Sequence, residues 1–186
     1  MNVGTMVFIV LGMVGYFIVI YNKLVSLRTG VDASWSDIDI QLKRRYNLIP
    51  ALIEVVKSYK AYESETLEQI VKARQLGTQA KNVEEQVKAT NILGASLGKL
   101  FALSEAYPDL KADTHFLKLQ SELTNLESSI QNARRYYNAI VRDYNAKIAS
   151  FPDMIIANKF HFDGRDYFEL DDGESAEVKQ MPKVEI

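Results

Sequence analysis

The chain has 186 residues, 22 Lys and Arg against 24 Asp and Glu, a formal net charge of −2, no cysteine and two histidines. So balanced a charge lacks the basic excess of a general nucleic-acid binder. The absence of cysteine excludes disulfides, thiolate metal centres, iron–sulfur clusters and a Cys nucleophile, and two histidines leave little for a His-based metal site. Four prolines and nine glycines are too few for a turn-rich β architecture.

Residues 3–21, VGTMVFIVLGMVGYFIVIY, contain no charged side chain. At 1.5 Å per residue they reach about 28 Å, close to the roughly 30 Å of a hydrocarbon core. Tyr16 and Tyr21 stand near one end, where amphipathic aromatics prefer the interface. A cleaved signal peptide would need a basic head, a shorter apolar run and an A-x-A-like site, and none is present. Residues 1–22 are therefore expected to be a single-pass anchor in the cell membrane. Gly12 and Gly15 are three apart, not at GxxxG spacing. Only Met1 and Asn2 precede the run, while Lys23 and Arg28 follow it. The excess of Lys and Arg on cytoplasmic flanks then predicts a cytoplasmic carboxyl-terminal domain.

From Val31 to about Gly77, apolar residues recur at helical spacing: Val31, Trp35, Ile38, Leu42, Ile49, Leu52, Ile53, Val56, Leu67 and Ile70. Pro50 lacks an amide donor and disfavours helix at Ile49, so a kink or boundary is expected there. Ser64 is a candidate N-cap for a new start. A second segment runs from about Val83 to Ala106, with Val87, Leu93, Leu97, Leu100 and Phe101 on one face. Gly94 and Gly98 inside it predict close helix packing, or alternatively a hinge.

In the third segment Phe116, Leu119, Leu123, Leu126, Ile130, Ala133, Tyr137, Ile140 and Tyr144 alternate steps of three and four without a miss. Asp113 is its candidate N-cap and Pro152 its end. The fold class is thus all-α: an N-terminal transmembrane helix followed by an antiparallel up-and-down bundle of three to four long helices over residues 23–162. A coiled coil with another chain would use the same stripes. Phe160, Phe162, Tyr167 and Phe168 crowd around Gly164, either to pack back on the bundle or to line a docking surface. From Asp163 onward there are eight Asp and Glu against three Lys and Arg, so residues 163–186 read as an acidic, flexible tail.

Catalytic signatures are missing: no phosphate-binding glycine loop, no nucleophile elbow and no H-E-x-x-H. His115 reads as an ordinary first-turn residue, and His161 lies 46 positions away. Asp39 with Lys43, Glu68 with Lys72 and Glu84 with Lys88 have the spacing of helix-face ion pairs. Carboxylates do not take the Glu-x-x-His spacing of a di-metal bundle. The dense basic cluster is Lys43, Arg44 and Arg45. On a straight helix Arg44 would lie about 34 Å beyond Tyr21, far past a Debye length of about 8 Å. The cluster then suits a solvated face or an acidic protein partner better than lipid. Tyr-Asn occurs at 21–22, 46–47, 137–138 and 144–145. The last two pairs are one heptad apart and are expected to form a polar layer in the bundle.

Three stretches carry a family resemblance: YNKLVSLRTGVDASWSDIDIQLKRRYNLIPALIEVVKSY (21–59), EAYPDLKADTHFLKLQSEL (105–123) and ARRYYNAIVRDYNAKIASFP (133–152). They resemble the LemA family over roughly residues 1–162, with the acidic tail outside the motif. The resemblance implies an amino-terminal membrane helix and an antiparallel helical bundle. It implies no established enzymatic activity and supplies no catalytic residues. One branch resembles proteins of the magnetosome membrane, which implies a part in membrane organisation.

The function expected from all this is a membrane-anchored scaffold or interaction module, not an enzyme and without a cofactor. Its partners would be the lipid bilayer and a protein partner or a second copy. The alternatives are an enzyme, or a bundle whose converging carboxylates bind a metal, or one that binds a small ligand in a pocket between helices.

Overall fold

The computed structural model describes residues 3–59 and 64–168; residues 1–2, 60–63 and 169–186 lie outside the described set, and with them most of the expected acidic tail. Every regular element among the described residues is a helix. In chain order these are α1 (Val3–Ser58), α2 (Ser64–Gln79), α3 (Val83–Ser104), α4 (Pro108–Lys111), α5 (Thr114–Ala149) and α6 (Asp153–Lys159). The chain is all-α, as its periodicity requires. It clusters into two compact units: α1 up to Asp39 with Asn132–Tyr167, and Ile40–Gln131 with Phe168.

The second unit buries Leu42, Ile49, Leu52 and Val56 of α1 against a core shared with Leu67 and Ile70 of α2, Leu93 and Leu97 of α3, and Phe116, Leu123 and Ile130 of α5. Each such side chain contributes about 1.5–3 kcal/mol by leaving water. Two side-chain contacts tie the α1 region to the α5 region. Arg45 reaches Glu127 and Tyr59 reaches Asp113. Helix starts follow local chemistry. The Asn82 side chain accepts from the Glu85 amide at 2.8 Å, and the Glu85 carboxylate accepts from the Lys81 amide. Asp113 Oδ1 accepts from the Phe116 amide at 2.8 Å and caps α5, as its position predicts.

Pro50 neither ends nor interrupts α1, contrary to the expected boundary. A proline inside a helix leaves the carbonyl four residues earlier without its donor. Here that carbonyl belongs to Tyr46, and Arg74 Nε of α2 donates to it at 2.9 Å. The tertiary contact supplies the bond that the sequence withholds, so the helix continues. The glycines of α3 also differ from expectation. A Cβ at Gly98 would meet nothing within 4 Å, and one at Gly94 would meet only Arg45 Nη2, at 3.5 Å. Neither marks a close backbone crossing.

The first unit buries Ile20, Leu24, Val31 and Ile38 of α1 with Tyr137, Val141 and Tyr144 of α5, Ile156 and Ala157 of α6, and Phe162. A Cβ on Gly30 would sit 3.7 Å from Ile140, and the rings of Trp35 and Tyr137 lie 5.6 Å apart. Of the two interleaved heptad series on α5, Phe116, Leu123, Ile130, Tyr137 and Tyr144 are the fully buried one. Helix resumes after Pro152 as α6. It closes with the Phe162 amide on the Ala157 carbonyl, 2.9 Å, and the Phe160 amide on that of Ile156. Between them His161 takes φ 54°, the left-handed residue such a terminus uses.

Candidate functional site

Two features of the first unit bear on function: an apolar helical segment exposed among the described residues, and a polar clamp on the chain after α6. From Met6 to Val19 the large side chains of α1 are exposed; burial begins at Ile20 and is complete at Leu24. The helix is long and apolar enough to cross a membrane. Where it meets the folded part, an aromatic group gathers. The Tyr21 ring lies 4.9 Å from Phe160 and 5.7 Å from Phe162, edge-on to both. The Arg28 guanidinium stands 5.1 Å over the Phe162 ring, a cation–π geometry. The turn at His161 is what separates the two phenylalanines, leaving Phe160 exposed and Phe162 buried.

The clamp is built from the Tyr-Asn heptad of α5. Tyr137 donates its hydroxyl to the Asp166 carbonyl and Tyr144 to that of Asp163, each at 2.9 Å. Asn145 holds Arg165 twice: its amide donates to the Arg165 carbonyl at 2.8 Å, and its oxygen accepts from the Arg165 amide at 2.9 Å. The Arg165 side chain reaches Asp32 of α1 at 3.0 Å. Burial pushes both phenols above their ordinary range, with the Arg165 charge pulling the other way. They are protonated donors at neutral pH. These bonds cross the 162/163 boundary drawn from sequence and fasten residues 163–166 to the helices. The tyrosines sit in the stripe as expected, but their hydroxyls serve a strap and not an inter-helix layer. An isolated Tyr-Asn repeat signals that polar partners are needed; it does not say where they come from.

The basic cluster is divided by the helix turn. Lys43 and Arg44 are on the outside, whereas Arg45 is buried. Arg45 Nη1 lies 2.9 Å from Glu127 Oε2. Burial lowers the Arg45 pKa from its usual value, opposed by the charge of Glu127. Arg45 is therefore not part of an exposed partner surface. The signal was in the spacing: Ile38, Leu42, Arg45, Ile49, Leu52 and Val56 step by four and three, so Arg45 occupies a core position. Next to it Tyr46 joins three helices. Its hydroxyl accepts from Gln86 Nε2 of α3 at 2.6 Å, and its ring fills the space a Cβ at Gly77 would need. His115 lies in the first turn of α5, beside Glu54, Lys118 and Glu122 on an open groove of about 490 Å³. Among the described residues no three His, Asp or Glu converge as metal ligands.

The sequence pattern of the LemA family matches residues 34–186, more than half of the chain. The chain belongs to the LemA family. The match includes the acidic carboxyl-terminal stretch, which is a correction to the expectation that this tail lies outside the family motif. It begins after the apolar segment, so the family pattern describes the helical domain and the span is read from this chain's own residues. Among curated relatives, Protein LemA of Metamycoplasma hominis is 27% identical over 173 residues, covering 89% of this chain and 78% of the relative. Magnetosome protein MamQ 2 of Paramagnetospirillum magneticum is 24% identical over 175 residues, 80% of this chain and 64% of the relative. Magnetosome protein MamQ of Magnetospirillum gryphiswaldense is also 24% identical, over 174 residues. The LemA-family chain thus spans less than two thirds of the length of the magnetosome proteins it matches.

Proposed function

We propose that this chain is a single-pass membrane protein whose helical domain acts as a scaffold or interaction module, by binding and not by catalysis. The observation that carries the reading is the abrupt change along α1. Its large apolar side chains are exposed from Met6 to Val19, and one face then becomes buried, with Ile20, Leu24, Val31 and Ile38 in the core. Exposed apolar surface of that extent is stable only in lipid or against another protein. The likeness to magnetosome proteins supports a place at a membrane. In support of binding, buried polar side chains hold helices together: Arg45 pairs with Glu127, and Tyr46 bonds to Gln86 and Arg74. On this reading residues 1–22 are the anchor, 23–162 the bundle in an up-and-down arrangement, and 163–186 an acidic extension. Lys23 and Arg28 favour a cytoplasmic domain. Lys43 and Arg44 are the proposed surface for an acidic protein partner.

The test is cross-linking in native membranes followed by purification of the full-length chain. A specific partner or a homo-oligomer, with cross-links mapping to Lys43, is expected; recovery of the monomer alone would overturn the scaffold reading. Protease added to intact cells should leave the domain uncut, and its digestion from outside would reverse the orientation.

A further inference from the structure

Beyond Tyr21, twelve large apolar side chains are exposed among the described residues, and five of them, Phe151, Met154, Ile155, Phe160 and Tyr167, fall within residues 151–167. Phe151 is 80% exposed and Ile155 52%. This is a concentration, not the scattered surface apolarity of an ordinary soluble face. At 3.6 residues per turn, Met154 and Ile155 are about 100° apart around α6, and Phe151 is exposed in the turn just before it. Asp153, Ile156 and Ala157 take the other side and are buried. The outer face of the short helix carries Met154 and Ile155, with the exposed Asn158 between them.

The location of this face follows from a ring contact. Phe160, the residue that ends α6, lies 4.9 Å from Tyr21, the last residue of the uncharged run. An aromatic at the end of a span sits at headgroup level, so Phe160 shares that level. At 1.5 Å per residue, Met154 and Ile155 lie within about 9 Å of it along α6. The polar layer of one leaflet is about 5–8 Å deep, and interfacial helices sink their apolar faces about 5–10 Å into that boundary. Lys23 and Lys159, close in the chain to Tyr21 and Phe160, are exposed, as contact with anionic headgroups requires.

We infer that Phe151, Met154, Ile155 and Phe160 form a lipid-contacting foot, seated in the interface of the same leaflet from which α1 emerges. This rests on the anchor reading proposed above. Lipid is the occupant because the patch continues, through Phe160 and Tyr21, into a helix surface that already needs lipid. A second contact point restrains the tilt and rotation of α1 relative to the bilayer, which a single helix leaves free.

The absence of cysteine makes the test clean. Single-cysteine variants Val10→Cys, Ile155→Cys and Glu84→Cys of the full-length chain are labelled with a polarity-sensitive fluorophore. They are reconstituted in vesicles of phosphatidylethanolamine and phosphatidylglycerol carrying spin-labelled lipid. Position 10 should be quenched by a label deep in the acyl chains and position 155 by one near the headgroup. Position 84, on an exposed ion pair of α3, should be quenched by neither. Quenching at 10 with position 155 as water-like as 84 overturns the foot and leaves the anchor standing. A blue shift at 155 without lipid quenching places that face against protein and also overturns it. Absence of quenching at 10 defeats the anchor and the foot together.

Discussion

Arg74 donates from Nε to the carbonyl oxygen of Tyr46, 2.9 Å away, and that carbonyl is the one Pro50 leaves without a helical donor. Two residues from different helices thereby correct a defect in a third position. Arg74→Ala should cost about 1–3 kcal/mol, the penalty for an unsatisfied buried acceptor. In a Pro50→Ala background the helical amide returns, and the same Arg74→Ala change should become much milder. A double-mutant cycle by urea denaturation reads the difference. Equal costs in both backgrounds would sever the proposed link.

Gly77 and Gly98 should respond with opposite signs to alanine. In a helix interior Gly→Ala ordinarily stabilises by about 1 kcal/mol. Gly98 meets nothing within 4 Å, so that gain should appear there. At Gly77 the new Cβ would lie 2.2 Å from the Tyr46 hydroxyl oxygen and 2.4 Å from its Cζ. The ring must move and surrender its bond from Gln86, so Gly77→Ala should destabilise by about 1–3 kcal/mol. Thermal melts of the two variants side by side make the comparison.

The buried guanidinium of Arg45 depends on Glu127 for its counter-charge. Glu127→Gln should cost about 1–3 kcal/mol, below the range for a fully buried pair because Glu127 retains 36% side-chain exposure. Arg45→Met with Glu127→Gln should recover much of that loss, since an apolar side chain of similar length fills the same site. Arg44→Ala, one residue away on the outside, should change stability by no more than about 0.5 kcal/mol. Chemical denaturation of the four proteins would show whether the basic triplet acts as one surface or two environments.

Asn145→Ala removes both bonds to the Arg165 backbone, and Tyr144→Phe removes the bond to Asp163. Global stability should fall by about 1 kcal/mol or less in each, a typical net value for such bonds. Amide hydrogen exchange at Arg165 should accelerate strongly in Asn145→Ala, because the partner of that amide is gone. Unchanged exchange there would mean the strap is held by other contacts.

Asp113 accepts from the Tyr59 hydroxyl at 2.7 Å and from the Phe116 amide at 2.8 Å. Both bonds favour the charged carboxylate and hold its pKa below the usual value. A folded-state value below the unfolded one gives stability that is fully present above about pH 4 and is lost as pH falls toward the folded-state value. Asp113→Asn remains a competent cap at neutral pH and should flatten that acid limb. Melting temperatures measured from about pH 7 down to about pH 3 should converge for the two proteins at the acid end; parallel curves would exclude the coupling.

Read by itself, the sequence determined the features that depend on neighbours a few residues away. Helical class, the apolar span, the caps at Asp113 and the buried series from Phe116 to Tyr144 all follow from periodicity and local hydrogen-bond chemistry. Even the burial of Arg45 was present in the four-three spacing from Ile38 to Val56, masked by the charges of Lys43 and Arg44 beside it. What only the tertiary structure decided are the pairings between positions far apart in the chain. Arg74 carries α1 through Pro50, Gly77 yields its space to Tyr46, and Asn145 ties down Arg165. A polar side chain announces in sequence that it needs a partner, but the partner's identity is fixed by which surfaces the folded chain brings within about 3 Å, and no local pattern encodes that distance.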